Sequence, residues 1–185
     1  MGIGSTTALD LSSASVGLLI ARLALGLAMA AHGSQKLFAW FGGYGIEGTG
    51  KYFEGLGFRP GKLFAAKAGL GEFVSGLLVA LGLFGPIGPG LMLAPMLVAI
   101  ITVHRPNGFF AAGNGIEVPY LYAIGALGLA FTGFGAFSLD ALLGLTSLAT
   151  PAIALAAVAV GVVGALGTLA LRQPVSKPVE AAVGS

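Results

Sequence analysis

The chain contains no cysteine. It can form no disulfide and offers no thiol of its own as nucleophile or sulfur carrier. Any sulfur or redox chemistry therefore needs a bound partner, substrate or cofactor. Charge is the second scarcity. Asp, Glu, Lys and Arg make up 9% of the 185 residues, against about 25% in an ordinary soluble domain. So few charges cannot cover a water-facing surface, and the mean hydropathy of +0.96 agrees. The composition is that of a membrane protein. The net charge is only +2, with no basic run or basic–aromatic patch, so nucleic acid is not an expected partner. No glycine cluster forms a strand-borne phosphate loop, and no H-x3-H or E-x-x-H spacing occurs, so neither a nucleotide nor a metal is expected. Residues 1–15 hold Asp10 but no Lys or Arg, unlike the basic start of a secretory signal.

What the chain has in excess is glycine, 32 residues. In a bilayer, small residues let helix backbones approach closely, so the excess predicts a tightly packed helical bundle. Five apolar segments follow, at 16–41, 63–84, 87–103, 118–134 and 151–171. Each is close to the length that crosses a hydrocarbon core of about 30 Å as a helix. Pro95 should kink the third, and Pro119 suits the first turn of the fourth. Between the first two segments, residues 49–56 read as a short interfacial helix between glycine turns. Ala157, Gly161 and Ala165 form a small-residue stripe on the fifth, suited to packing within or between protomers. A homo-oligomer is one outcome of such a stripe. The tail at 173–185 is polar and proline-containing, as disordered segments are.

With five spans, Lys36, Lys51, Arg59, Lys62, Lys67, Arg105, Arg172 and Lys177 fall on one side and Arg22 alone on the other. The positive-inside rule then places both long loops and the C-terminus in the cytoplasm and the N-terminus, residues 1–15, outside. The expected location is a bacterial inner (plasma) membrane, crossed several times.

Ionisable residues inside apolar segments are costly and mark candidate sites. The first segment carries Arg22, His32 and Lys36, and the second carries Glu72. From helical rise, His32 lies ~12 Å and Glu72 ~13 Å from the end that carries the long loops. Glu72 shares its face with Gly69, Ser75 and Gly76. A His32–Glu72 hydrogen bond at that level would hold the imidazole tautomer and suit a proton relay. The same pair also fits a purely structural contact that sets helix register. Lys36 and Arg22 are each close enough to an interface to snorkel. His104, Arg105, Asn107 and Glu117 bracket the second long loop. With Lys36 they are the candidate substrate-binding residues, lining a polar vestibule, or else belong to an ordinary loop anchored by Arg105. The fifth segment carries no ionisable residue between 151 and 171, so it is expected to be dispensable for the polar site.

The stretches RLALGLAMAAHGSQKLFAWFGG, GTGKYFEGLGFRP, AGLGEFVSGLLVALGLFGPIGP, LVAIITVHRPNGFF and EVPYLYAIGALGLAFTGFGAFSLD, in that order, resemble the DoxX family. Arg22, His32, Gly33, Lys36, Glu72, Gly76, His104, Asn107 and Asp140 carry the resemblance. It implies an all-α integral membrane fold: a four-helix transmembrane core over 16–140, followed by a fifth transmembrane helix within 141–172. It further implies a membrane component of a redox system handling sulfur compounds or oxidative stress, with a quinone as cofactor or electron acceptor. In that setting His32 and Glu72 exchange protons with the bound molecule. Alternatives are a non-enzymatic scaffold that recruits soluble redox enzymes such as superoxide dismutase and a sulfurtransferase, and a small-molecule transporter. Five spans without a visible inverted repeat speak against the transporter.

The orientation is directly testable because the chain is cysteine-free. Of single cysteines at Ser5, Thr49, Ala111 and Ser176, only the first should react with an impermeant reagent in intact cells. Labelling at Thr49 or Ala111 would reverse the topology.

Overall fold

The computed structural model describes residues 13–175. Most of the N-terminal segment and of the polar tail therefore lies outside the described residues. Seven α-helices carry the fold: α1 (Ser13–Phe38), α2 (Gly45–Gly55), α3 (Gly61–Leu81), α4 (Ile87–Ala99), α5 (Glu117–Thr132), α6 (Leu139–Leu143) and α7 (Pro151–Ala170). No strand occurs among the described residues. Helices α1, α3, α4, α5 and α7 traverse the bundle in alternating directions. Four stretches are long and apolar enough to cross a bilayer: Ser13–Phe38, Gly61–Leu81, Ile87–Asn107 and Pro151–Ala170. Helix α5 has 16 residues and rises about 24 Å, short of a full hydrocarbon core. It is the shortest traverse, closed by Gly133 with a positive φ.

The basic residues gather at one end of the bundle, where α1, α4 and α7 finish and α3 and α5 begin. That basic end also carries exposed aromatics, among them Trp40, Phe41, Tyr44, Tyr52 and Phe110. Amphipathic aromatic rings at that level fit a membrane–water interface. Between the ends, Ile20, Leu27, Leu70, Ile124, Val163 and Leu166 are exposed. In water such a surface would drive aggregation; in hydrocarbon it is the surface a spanning bundle must present. The chain is thus a multi-pass helical membrane protein.

The closest helix pair is α1 with α3. A Cβ on Gly26 would collide with the backbone of Gly76 and Ala80, and one on Gly76 with that of Gly26 and Ala30. Gly33 meets Gly69 and Phe73 in the same way one heptad further on. The two backbones therefore touch with no side chain between them, as small-residue interfaces in membranes allow. The core beside this seam is built by Met29, Val79, Met92, Leu93, Met96 and Ala126. On the other side of α4, Gly161 of α7 packs on Gly90, and Ala154 and Ala165 are buried. The small-residue stripe of α7 thus serves packing within the protomer.

The interfacial helix begins earlier than the pattern suggests, at Gly45, and runs to Gly55. It lies on α3 through Thr49 and Gly50, which are buried. Glu54 Oε1 accepts a hydrogen bond from Gly61 N at 3.1 Å, satisfying a free amide at the start of α3.

Gly76→Val should force α1 and α3 apart and lower stability by about 1–3 kcal/mol. Gly128→Ala, whose added Cβ meets nothing within 4 Å, should hold or raise it by up to ~1 kcal/mol. Thermal unfolding in detergent, followed by circular dichroism, separates the two.

Candidate functional site

Glu72 is buried on α3 with Gly69, Ser75 and Gly76, the inward face expected from the sequence. Its partner is Lys36. Lys36 Nζ donates to Glu72 Oε2 at 2.5 Å, with side-chain exposures of 24% and 5%. His32 forms no hydrogen bond with Glu72. Its ring meets Tyr122 of α5 edge-on, with centroids 5.7 Å apart. The expected His32–Glu72 contact is therefore replaced by Lys36–Glu72, and Lys36 does not snorkel.

The reason lies in side-chain direction. Cα–Cβ bonds on a helix tilt toward its N-terminus. Lys36 lies near the end of α1, so its stem points back into the bundle. Glu72 belongs to the antiparallel α3, so its stem points toward the basic end. The two side chains approach each other by about one turn relative to their Cα atoms. Equal Cα depth, which suggested His32, is the wrong measure. Tyr122 lies within electrostatic reach of the Glu72 carboxylate. Two separate contacts stand here, Lys36–Glu72 between α1 and α3 and His32–Tyr122 between α1 and α5.

The ion pair borders a cavity of about 570 Å³ walled by α3, α4 and α7 and floored by α2. Most of the lining is apolar. Its polar members are Lys36, Glu72, Lys67, Thr102, His104 and Thr168. Phe53, Phe58 and Phe64 stack in series with centroids 6.1 and 5.3 Å apart and close the cavity toward the basic end. Helices α3 and α7 each pack on α4 rather than on each other. Between them Ile87, Leu91 and Val160 line the cavity and are also exposed. The cavity therefore opens sideways, at the level of the lipid-facing surface. Lys67 Nζ donates to Thr168 Oγ1 at 3.0 Å and bridges that gap.

His104 reaches the cavity because α4 widens into a π-turn at Ile100–His104, a feature common at functional sites. His104 Nδ1 donates to Asn114 O at 2.8 Å. A carbonyl only accepts, so Nδ1 carries a proton, and in the neutral ring Nε2 is the acceptor. Asn107 Nδ2 donates to Val103 O and Asn114 O at 3.2 and 3.3 Å. Glu117 Oε2 accepts from Ala111 N at 2.7 Å. Asn107 and Glu117 hold the 105–116 loop together, and neither lines the cavity. Arg105 is exposed and also stands outside it.

The opposite end carries a second buried polar group. Arg22 is 3% exposed, so it does not snorkel. Its two terminal nitrogens donate to Ala80 O and Phe137 O, tying the end of α3 to the segment before α6. Asp140 accepts from Phe84 N at 2.8 Å and Gly85 N at 2.6 Å, and its own N donates to Gly82 O at 2.9 Å. Arg22 and Asp140 clamp the α3–α4 turn through backbone groups, at the end of the bundle opposite the Lys36–Glu72 pair.

Residues 17–105 match the DoxX family model. The chain carries a DoxX domain. No curated protein and no solved structure matches it. The matched residues of the DoxX domain run from α1 through α4 to Arg105 and hold Lys36, Glu72, Thr102 and His104. Helices α5 and α7 lie beyond them, and each adds to the site. Tyr122, Thr102 and the α7 wall are residues that sequence reasoning missed. A signal for the last existed: Ala157, Gly161, Gly164 and Thr168 recur at helical spacing, so the one hydroxyl near the end of an apolar helix shares a face with its small residues. The expectation that the fifth helix is dispensable is incompatible with this wall.

Truncation after Thr150 should therefore abolish ligand retention by the cavity even where the remaining helices insert. His32→Gln and Glu72→Gln should destabilise independently, their effects adding within about 0.5 kcal/mol. Thermal unfolding of the single and double variants checks this.

Proposed function

We propose that the DoxX domain and α7 together bind a membrane-borne quinone, as the membrane component of a redox system handling sulfur compounds or oxidative stress. The observation that carries this reading is an ion pair, Lys36–Glu72, on the wall of an apolar cavity that opens toward the bilayer. A largely apolar pocket with a few convergent polar groups is the usual form of a small-molecule site. A volume of about 570 Å³ suits a substituted ring with the first part of its apolar tail. The residues present fit a quinone: Lys36 can donate to a ring oxygen, and the apolar walls accept the tail.

When bound, a quinone supplies a two-electron, two-proton acceptor. The chain's own residues bind and orient the ring, exclude water, and hold the exchangeable proton. Lys36 Nζ is the group that donates a proton to a ring oxygen, and Glu72 keeps that ammonium in place. His104 Nε2 is a second acceptor at the cavity edge. Phe58 and Phe64, nearly fully buried, keep the basic-end solvent out. With no cysteine in the chain, electrons or sulfur would come from a soluble partner enzyme, and the basic loops offer the docking face. The excess of Lys and Arg at that end supports a cytoplasmic position for the face and an external N-terminus.

The test is purification into nanodiscs directly from membranes, then mass spectrometry of the extracted lipids. Wild type should retain quinone. Gly71→Phe fills the cavity from a position where an added Cβ meets nothing within 4 Å. It should lower retention at least about tenfold, equivalent to about 1.4 kcal/mol. Equal retention by wild type and Gly71→Phe would overturn the site. A quinone-free bundle in stable complex with soluble redox enzymes would favour the scaffold reading instead.

A further inference from the structure

A second cavity, of about 550 Å³, lies at the basic end of α1. Gln35, Lys36, Gly43, Gly48, Thr49 and Tyr52 are among its lining residues. Polar groups form a larger share of its walls than of the first cavity's: the Gln35 amide, the Thr49 hydroxyl and Lys36 stand among the aromatic rings of Tyr44, Tyr52 and Phe53. Tyr44, also on its wall, is 82% exposed, so the cavity opens outward at the aromatic belt. Gln35 Nε2 donates to Phe41 O at 3.1 Å and fixes the turn that forms its rim. Gly43 and Gly48 let its walls pack closely: a Cβ on Gly43 would run into Gln35, and one on Gly48 into Tyr44.

Three residues line both cavities: Lys36, Tyr52 and Phe53. Of these only Lys36 carries a charge-bearing side chain. Its ammonium is paired with Glu72, which lines the inner cavity alone. The ion pair therefore stands where the two cavities meet. A space of this size that opens outward has room for on the order of ten waters, with Gln35, Lys36 and Thr49 as polar partners on its wall.

We infer that the outer cavity is an aqueous vestibule through which protons reach the Lys36–Glu72 pair from the basic end. The inner cavity's occupant then exchanges protons with that side of the membrane. Once electrons from the soluble partner enzyme have reduced the bound molecule, a proton leaving Lys36 Nζ for its oxygen leaves a neutral amine, and one proton from bulk water, passed through the vestibule, restores the ammonium. The inference rests on the proposed occupant only for its purpose; access through the vestibule is measurable without any occupant.

The test uses the cysteine-free background in nanodiscs, where both faces are open to solvent. Lys36→Cys is combined with Glu72→Gln so that no carboxylate is left unpaired. Thr49→Cys, on the vestibule wall, keeps the ion pair intact and stands in if the double variant does not fold. Tyr44→Cys is the exposed reference and Thr102→Cys reports the inner cavity. A charged, water-soluble methanethiosulfonate should modify positions 36 and 49 within about tenfold of the rate at position 44, and position 102 at least about a hundredfold more slowly, since thiol reactivity follows access and thiolate fraction. Gly48→Leu should slow modification at position 36. Protection of both 36 and 49, or modification at 102 as fast as at 49, would overturn the vestibule. Failure here with quinone retained would leave the inner site standing. Success here without quinone would leave the vestibule and remove the proposed occupant.

Discussion

A charge below the membrane surface survives only where something satisfies it. Glu72 has a side-chain exposure of 5%, and the bundle around it is arranged to supply one partner. That partner, Lys36, stands on α1, and it reaches Glu72 because α1 and α3 run backbone against backbone at Gly26, Gly33, Gly69 and Gly76. A larger residue at any of those seams would widen the helix spacing and pull ammonium from carboxylate. Breaking a buried pair by removing one member costs several kcal/mol at full burial; with Lys36 at 24% exposure, solvent screening brings that down. The same constraint is met differently at the far end. Among the described residues Arg22 is paired with no carboxylate and donates to backbone carbonyls, while Asp140 accepts from two backbone amides. One end thus holds side chain to side chain next to a cavity, and the other holds side chain to backbone in a closed turn.

The scale of what could be read from the residues follows this division. Hydropathy over α1, α3, α4 and α7 and the glycine excess led to a packed helical membrane bundle, because length and apolarity are additive along a chain. The inward face of Glu72 was legible too, since Gly69, Ser75 and Gly76 share it. The partner of Glu72 was not. Rise per residue puts His32 level with Glu72, but side chains on antiparallel helices lean in opposite senses, and that lean shifts the meeting point by a turn to Lys36. The roles of Asn107 and Glu117 were equally hidden. Both look like vestibule ligands by spacing, yet their hydrogen bonds go to backbone atoms of the loop they bracket. Local loop closure competes for such side chains and leaves no trace in spacing.

Helix α7 changes what the DoxX match accounts for. The matched residues end at Arg105, so the family core supplies the ion pair and one wall of the inner cavity. The facing wall, Ala157 to Thr168, is added from outside it. Its small residues do two things at once: Gly161 lets α7 lie close on Gly90 of α4, and the absence of large side chains at Ala157 and Gly164 leaves the space that a ligand would fill. The shape of the occupant is therefore set as much by the added helix as by the core, while the charge that meets it belongs to the core.

The central claim is that Lys36 and Glu72 are energetically coupled. A double-mutant cycle of Lys36→Met, Glu72→Gln and the combined variant, read by thermal unfolding in nanodiscs, tests it most directly. The account predicts that each single change destabilises and that the pair together costs less than their sum, with a coupling of about 1 kcal/mol or more. Effects that add within about 0.5 kcal/mol would contradict it.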